Sequence, residues 1–351
     1  MKKNYLKISS PSLRGFQDLH FKKAQDLFVR FHKLRLKKER ATKKKKSKKN
    51  IKREENMIDN ATMLNASRAM LLMAKQRREA LKKKKVKKLY IEDADEEAYQ
   101  TYLDKCLESY MEDPNATTED KASFGAGVAE NASEDVYEKP QTEESYNKAK
   151  RASSTLVKML SSNDEVLKTI LNRAEQGEGD QLDKLKAHAV NSSSLAIRFG
   201  QFMGLGEKQL EELGTAALYH DIGYKELSEE GQSLFFKDIE GANVAALSAY
   251  KEHPRKGAEM LQDKPFADEV VLDLIMTHEE KLQGGGFPQK LEKLNLMQEI
   301  HSLCCYYDRR ITLLGATSDE VLEDIMVEQL GAYSLETMKK FKKFLQGLKA
   351  A

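Results

Sequence analysis

Four histidines in the last two hundred residues of this 351-residue chain stand where a folded helical core would find them costly: His188, His220, His253 and His278. Read with a helical period, His220 follows Leu210, Leu213 and Ala217 and precedes Tyr224. His278 follows Val271, Leu274 and Ile275, and His188 lies among Leu185, Ala189, Ser192 and Phe199. Residues three and four apart share a helix face, so separate helices turn an imidazole toward one interior. A buried imidazole needs a hydrogen-bond partner or a metal. One such histidine reads as a satisfied core residue, but four of the chain's seven are harder to place that way. His220 is followed at once by Asp221, and this pair offers what a two-metal site requires: an imidazole for one ion and a carboxylate able to bridge both.

The elements that must position these residues are helices. From about residue 147 to the end, helical periodicity dominates. It is broken by glycine or proline at 177–179, 204–206, Pro254, Pro265, the Gly284 to Pro288 loop and Gly315. This spacing predicts a helical bundle of roughly seven helices. Residues 112–146 are rich in Glu, Asp, Ser, Thr, Asn and Ala and poor in large apolar side chains, the composition of an acidic flexible linker. Ahead of it, residues 1–111 carry β-compatible runs, YLKIS, LFVRF and KKLYIED, and a helical pattern at Ala98, Tyr102, Leu103, Leu107 and Tyr110. The expected fold is therefore mainly α. A C-terminal all-helical bundle over 147–351 follows a small N-terminal α+β module, which a lysine-rich insertion interrupts at about 33–88.

The net charge of +3 hides three electrostatic blocks: +23 over residues 1–90, −12 over 91–150 and −8 over the remainder. Runs of four or more lysines repel one another and stay solvated. The alternatives to a purely solvating role are unspecific contact with nucleic-acid phosphates or with an anionic membrane through residues 33–88, both of which weaken with salt. Aromatic residues are nearly absent between the lysines, which argues against a base-stacking platform. Cys106, Cys304 and Cys305 are too few for a disulfide framework, so reduced thiols are expected. No stretch approaches a membrane span or a signal peptide, and a cytoplasmic protein is expected.

Five ordered segments, HAVNSSSLAIRFG, ALYHDIGY, EHPRKGAEML, MTHEEKLQGGGFP and HSLCCYYDRR, resemble the HD-GYP subgroup of the HD-domain metal-dependent phosphohydrolases over residues 183 to about 314. The resemblance implies an all-α HD domain that hydrolyses cyclic di-GMP, or a related phosphoester, with two divalent metal ions, iron or manganese and alternatively zinc. Carried onto this chain, it assigns His188, His220 and bridging Asp221 to one ion and His253 and His278 to the other, with His220 and Asp221 as the catalytic pair. Two positions depart from the family's ligand pattern. Glu279 stands where a further histidine is expected and can still coordinate. Cys305 stands where an aspartate is expected, either as a softer ligand or as a packed thiol. Lys184 replaces the glutamate of trinuclear members, so two metals is the upper limit.

On the substrate side the resemblance implicates the loop of Gly284, Gly286, Phe287 and Pro288, in which Phe287 replaces the signature tyrosine. Tyr224 takes the place of a phosphate-directed lysine. Arg309, Arg310, Lys225 and Lys281 are candidate sources of compensating charge. These changes leave three readings: an active or weakened phosphodiesterase, a catalytically silent nucleotide sensor or interaction module, and a protein whose main work is lysine-driven binding. A homodimer is compatible with each.

Overall fold

The computed structural model describes residues 5–9, 88–92, 117–161, 164–175 and 180–350. The chain divides into two compact units, residues 1–109 and 110–351. In the first, β1 (Tyr5–Ser9) and β2 (Lys88–Glu92) pair antiparallel, with Tyr5 opposite Glu92 and Ser9 opposite Lys88. These are the YLKIS and KKLYIED runs. The LFVRF run, the helical pattern at 98–110 and the lysine-rich insertion lie outside the described residues.

The second unit is helical and has more helices than the glycine and proline breaks suggested. Its order is α1 (Thr118–Glu138), α2 (Glu143–Leu160), α3 (Asp164–Glu175), α4 (Gln181–Phe202), α5 (Glu207–Tyr219), α6 (Glu229–Ser233), α7 (Val244–Lys251), α8 (His253–Glu259), α9 (Glu269–Thr277), α10 (Leu296–Asp308), α11 (Ser318–Val327) and α12 (Leu335–Ala350). Helix α4 runs through the middle and packs against α5, α10, α1, α2 and α3. No described helix is long and apolar enough to cross a membrane.

The acidic linker expected over 112–146 is corrected by this structure. From Thr118 onward that stretch is α1 and the start of α2, and it is packed. Thr117 caps α1 by accepting from the Asp120 backbone N–H, and Thr142 caps α2 through Ser145. Ala122, Ala126, Ala129, Val136 and Tyr137 of α1 are buried against the bundle. Composition failed here because small side chains bury a helix by letting it approach closely, without the large apolar residues that usually mark a core. The acidic character is partly internal too. Asp135 pairs with buried Lys148 at 2.6 Å, and Lys148 also reaches Glu144 at 2.8 Å.

Candidate metal centre

Four chain segments bring the site together. His188 lies in the second turn of α4, whose first turn is capped by Asp180 accepting from the Asp183 N–H. His220 and Asp221 follow the end of α5, where the chain turns into a short 3₁₀ segment, Ile222–Glu226. His253 opens α8, with Pro254 behind it in the first turn, and His278 caps the C-terminus of α9. The close approach between two of these segments depends on one residue without a side chain. A Cβ at Gly223 would stand 2.0 Å from the His253 carbonyl oxygen and 2.8 Å from the Gly257 nitrogen. Only glycine lets the turn after Asp221 lie against the start of α8.

Each of the four imidazoles spends its Nδ1 on an acceptor. His220 Nδ1 donates to the Ala217 carbonyl at 2.7 Å, His253 Nδ1 to Tyr250 at 2.7 Å and His278 Nδ1 to Ile275 at 2.8 Å. His188 Nδ1 faces Asp308 Oδ2 at 2.7 Å. Because carbonyls and carboxylates only accept, the proton of a neutral ring sits on Nδ1 and its Nε2 presents a lone pair. Those lone pairs converge. His188 and His220 Nε2 are 3.0 Å apart, and His253 and His278 Nε2 are 2.9 Å apart. Two acceptors this close repel unless a proton or a cation lies between them.

Asp221 joins the two pairs. Its Oδ2 lies 3.3 Å from His220 Nε2 and 3.7 Å from His188 Nε2, while its Oδ1 lies 3.3 Å from His253 Nε2 and 3.5 Å from His278 Nε2. All five residues are at most 3% exposed. Two groups of three ligand atoms therefore form, His188–His220–Asp221 and Asp221–His253–His278, each of a kind that could hold a metal ion. The donor set fits a pair of divalent cations: neutral nitrogen lone pairs on each side and one anionic carboxylate between them.

The electrostatics agree with that fit. Burial alone would raise the Asp221 pKa, but His220, His253 and His278 hold the carboxyl well below the usual range, so it stays an anion. Burial alone would lower the His220 pKa, yet the Asp221 carboxylate and the Cys305 thiol beside it hold it well above 6.5. Burial pulls the His278 pKa down and, with His220 and His278 adding to it, pulls the His301 pKa well below 6.5.

The remaining candidates are distributed around a cavity of about 150 Å³ that opens over His188, His220, Asp221 and His278. Glu279 and Cys305 both line it, but neither joins the two ligand groups. Glu279 accepts from the Tyr250 hydroxyl at 2.7 Å. Burial opposes its ionisation, while His278, His253 and Arg309 keep its pKa below the ordinary value. Burial pushes the Cys305 thiol up, with His220 opposing. Gly286 and Phe287 line the cavity; Gly284, Pro288 and Tyr224 are not among its lining residues. Tyr224 stands edge-on to Phe235 and Phe236. The loop itself is held from below. A Cβ at Gly286 would lie 2.3 Å from the Lys281 nitrogen, and the buried Glu280 carboxylate accepts from the backbone N–H groups of Gln289, Lys290 and Leu291.

Several contributors were not legible in the chain. Thr312 donates to Asp308 Oδ1 at 3.1 Å and accepts from Asn191 Nδ2 at 3.2 Å, so His188 is backed by a relay of three side chains. Asp308 and the His188 ring it faces lie 120 residues apart in the chain. Tyr250 and Tyr137 gave no signal at all. The Tyr137 hydroxyl is buried without a partner, and burial, then the charges of Asp221 and Cys305, push its pKa well above 10.

With this geometry in place, residues 180–298 match the family model described as the HD domain. The cyclic di-GMP phosphodiesterase PA4108 of Pseudomonas aeruginosa is 30% identical over 128 residues, 34% of this chain and 29% of that protein. The cyclic di-GMP phosphodiesterase PdeB of Borreliella burgdorferi is 28% identical over 116 residues, 32% of this chain and 28% of that protein. The match thus spans less than a third of either curated relative. Among solved structures, Bd1817, a HDG"Y"P protein from Bdellovibrio bacteriovorus, superposes with a TM-score of 0.60 at 29% identity, covering 75% of this chain and 84% of that one.

Proposed function

We propose, from the premise that residues 180–298 form an HD domain of the HD-GYP kind, that the chain is a metal-dependent phosphodiesterase acting on a cyclic dinucleotide. One observation carries this reading: the two oxygens of Asp221 are divided between two histidine pairs whose Nε2 atoms all face it. His188, His220 and Asp221 would hold one divalent cation, and Asp221, His253 and His278 the other. Such cations supply Lewis-acid stabilisation of phosphoryl charge and a nucleophile at neutral pH. The chain's own residues do the rest. The Nδ1 acceptors fix each imidazole's tautomer and direction, the Gly286–Phe287 wall closes one side, and Tyr250 holds the Glu279 carboxylate through its hydroxyl. A cavity of about 150 Å³ is smaller than a typical whole-ligand pocket, so the scissile phosphate enters and the rest of the dinucleotide stays outside.

The test is elemental analysis of the full chain purified without chelator, together with hydrolysis of cyclic di-GMP. About two iron, manganese or zinc ions per chain are expected. Their loss in Asp221→Ala, with loss of turnover, supports the reading, whereas full turnover in that variant overturns it. A second reading, nucleotide binding without hydrolysis, is favoured by Phe287, which lacks a hydroxyl, and by the neutral Cys305 thiol. Metal loading with saturable cyclic di-GMP binding and no product would establish it.

A further inference from the structure

The cavity wall carries a buried cation, Arg309, that no carboxylate among the described residues pairs with at short range. Arg309 follows α10 directly and opens a π-helical turn, Arg309–Leu313. Arg310 pairs with Asp238 at 3.1 Å and is partly exposed, whereas Arg309 is 9% exposed and lines the cavity with Asp221 and His278. Widened turns of this kind recur where a helix must redirect a functional side chain.

Burying a guanidinium is costly unless its donors are satisfied. The Nη2 group of Arg309 donates to the carbonyls of Leu234 at 2.8 Å and Lys237 at 3.3 Å. The face of the group lies over the Tyr250 ring, 5.4 Å from its centroid. Among the described residues no carboxylate pairs with it within 4.0 Å, and its buried Nε has no partner. Glu279 is close enough to favour the charge, but its Oε1 accepts from Tyr250. The other cations of the wall are engaged. Lys281 Nζ donates to Gln329 at 2.6 Å and lies over Tyr306, and Lys251 lies over the Phe287 ring.

We propose that Arg309 is a substrate-binding residue that seats the phosphoryl oxygens of the substrate against the metal centre. The assignment rests on the phosphodiesterase reading above. A guanidinium held by two carbonyls and an aromatic face keeps its remaining N–H groups in a fixed plane, and that fork matches two oxygens of one phosphate. The anion fills the place of the missing carboxylate. It also explains why a basic residue is kept in an interior where a neutral one would cost less.

Inorganic phosphate is the probe, titrated by calorimetry into the metal-loaded full chain and into Arg309→Met and Arg309→Lys. Metal content and thermal unfolding are read on each sample. Arg309→Met is expected to weaken phosphate binding about tenfold or more with metal content unchanged, and Arg309→Lys to weaken it several-fold because the charge survives and the fork does not. Lys208→Met, at an exposed lysine that does not line the cavity, should bind phosphate as the parent does. A folded, metal-loaded Arg309→Met chain with parental phosphate affinity overturns the proposal. Should Arg309→Met fail to fold, parental affinity in Arg309→Lys overturns it as well. A parent chain that takes up no metal sinks the phosphodiesterase reading instead; phosphate binding to that chain must still depend on Arg309, and independence ends the proposal on its own terms.

Discussion

The two halves of the metal centre are built differently. In the His253–His278 half both imidazoles are oriented locally, each donating to a carbonyl three residues back, Tyr250 and Ile275. The His188–His220 half has one local bond, His220 to Ala217, and one that spans the chain, His188 to Asp308. A carbonyl in the preceding turn is supplied by the backbone wherever a helix ends or begins. A carboxylate 120 residues away must be delivered by the packing of α10 on α4. The His188–His220 half should therefore be the one that depends on tertiary structure, because the carboxylate that orients His188 is supplied by another helix.

The largest effect should erase the comparison. Asp221→Asn removes the anion shared by both halves and should abolish both metal binding and hydrolysis, read by elemental analysis and product formation. Next in size, Asp308→Asn should separate them. Loss of a carboxylate behind a metal-binding imidazole costs about 10–100-fold in affinity or activity, so the chain should retain one cation at concentrations where the parent holds two.

A smaller effect concerns His301, whose ring lies 6.0 Å from that of His220 and 6.2 Å from that of His278. Its pKa in the fold is well below 6.5, by burial first and then by His220 and His278. A group depressed on folding binds its proton only in the unfolded chain, so its stabilising contribution is present above pH 6.5 and is lost as pH falls toward the folded value. In the metal-free chain, acidification from pH 6.5 to 5.5 should cost about 1 kcal/mol through this residue. The difference in thermal midpoint between parent and His301→Leu should change over that window, and a pH-independent difference would contradict the assignment. The smallest effect belongs to Tyr250→Phe. It frees Glu279 from its hydroxyl donor at the His253–His278 half and should change the affinity of that half's cation only a few-fold, leaving the other half alone.

These differences mirror what could be read in the chain. His188, His220 and His278 were legible because helical periodicity puts each on an inward face, Asp221 because it adjoins His220, and His253 from the order of the motifs, and the structure brings all five together. The strands at 5–9 and 88–92 were legible from short β-compatible runs. The start of the helical unit was not. Residues 118–146 look like a solvated tail because α1 buries alanines rather than leucines, and its Asp135 is matched by a lysine of the next helix. A fragment begun at residue 147 would cut α2 and discard Val136 and Tyr137 from the core.

Glu279, Cys305, Phe287 and Tyr224 could be singled out by position, yet their surroundings could not. Glu279 turns to a tyrosine hydroxyl, Cys305 lies against His220, and Tyr224 faces Phe235 and Phe236. By itself the sequence determined the inward imidazoles and the acid that follows one of them, since residue type and local period suffice for a helix face. Only the tertiary structure decided which nitrogens face one another, which carboxylate backs His188 and which arginine lies inside with no carboxylate paired to it among the described residues. Those are distances between segments far apart in the chain, set by close packing and by one glycine, Gly223, that lets two backbones approach.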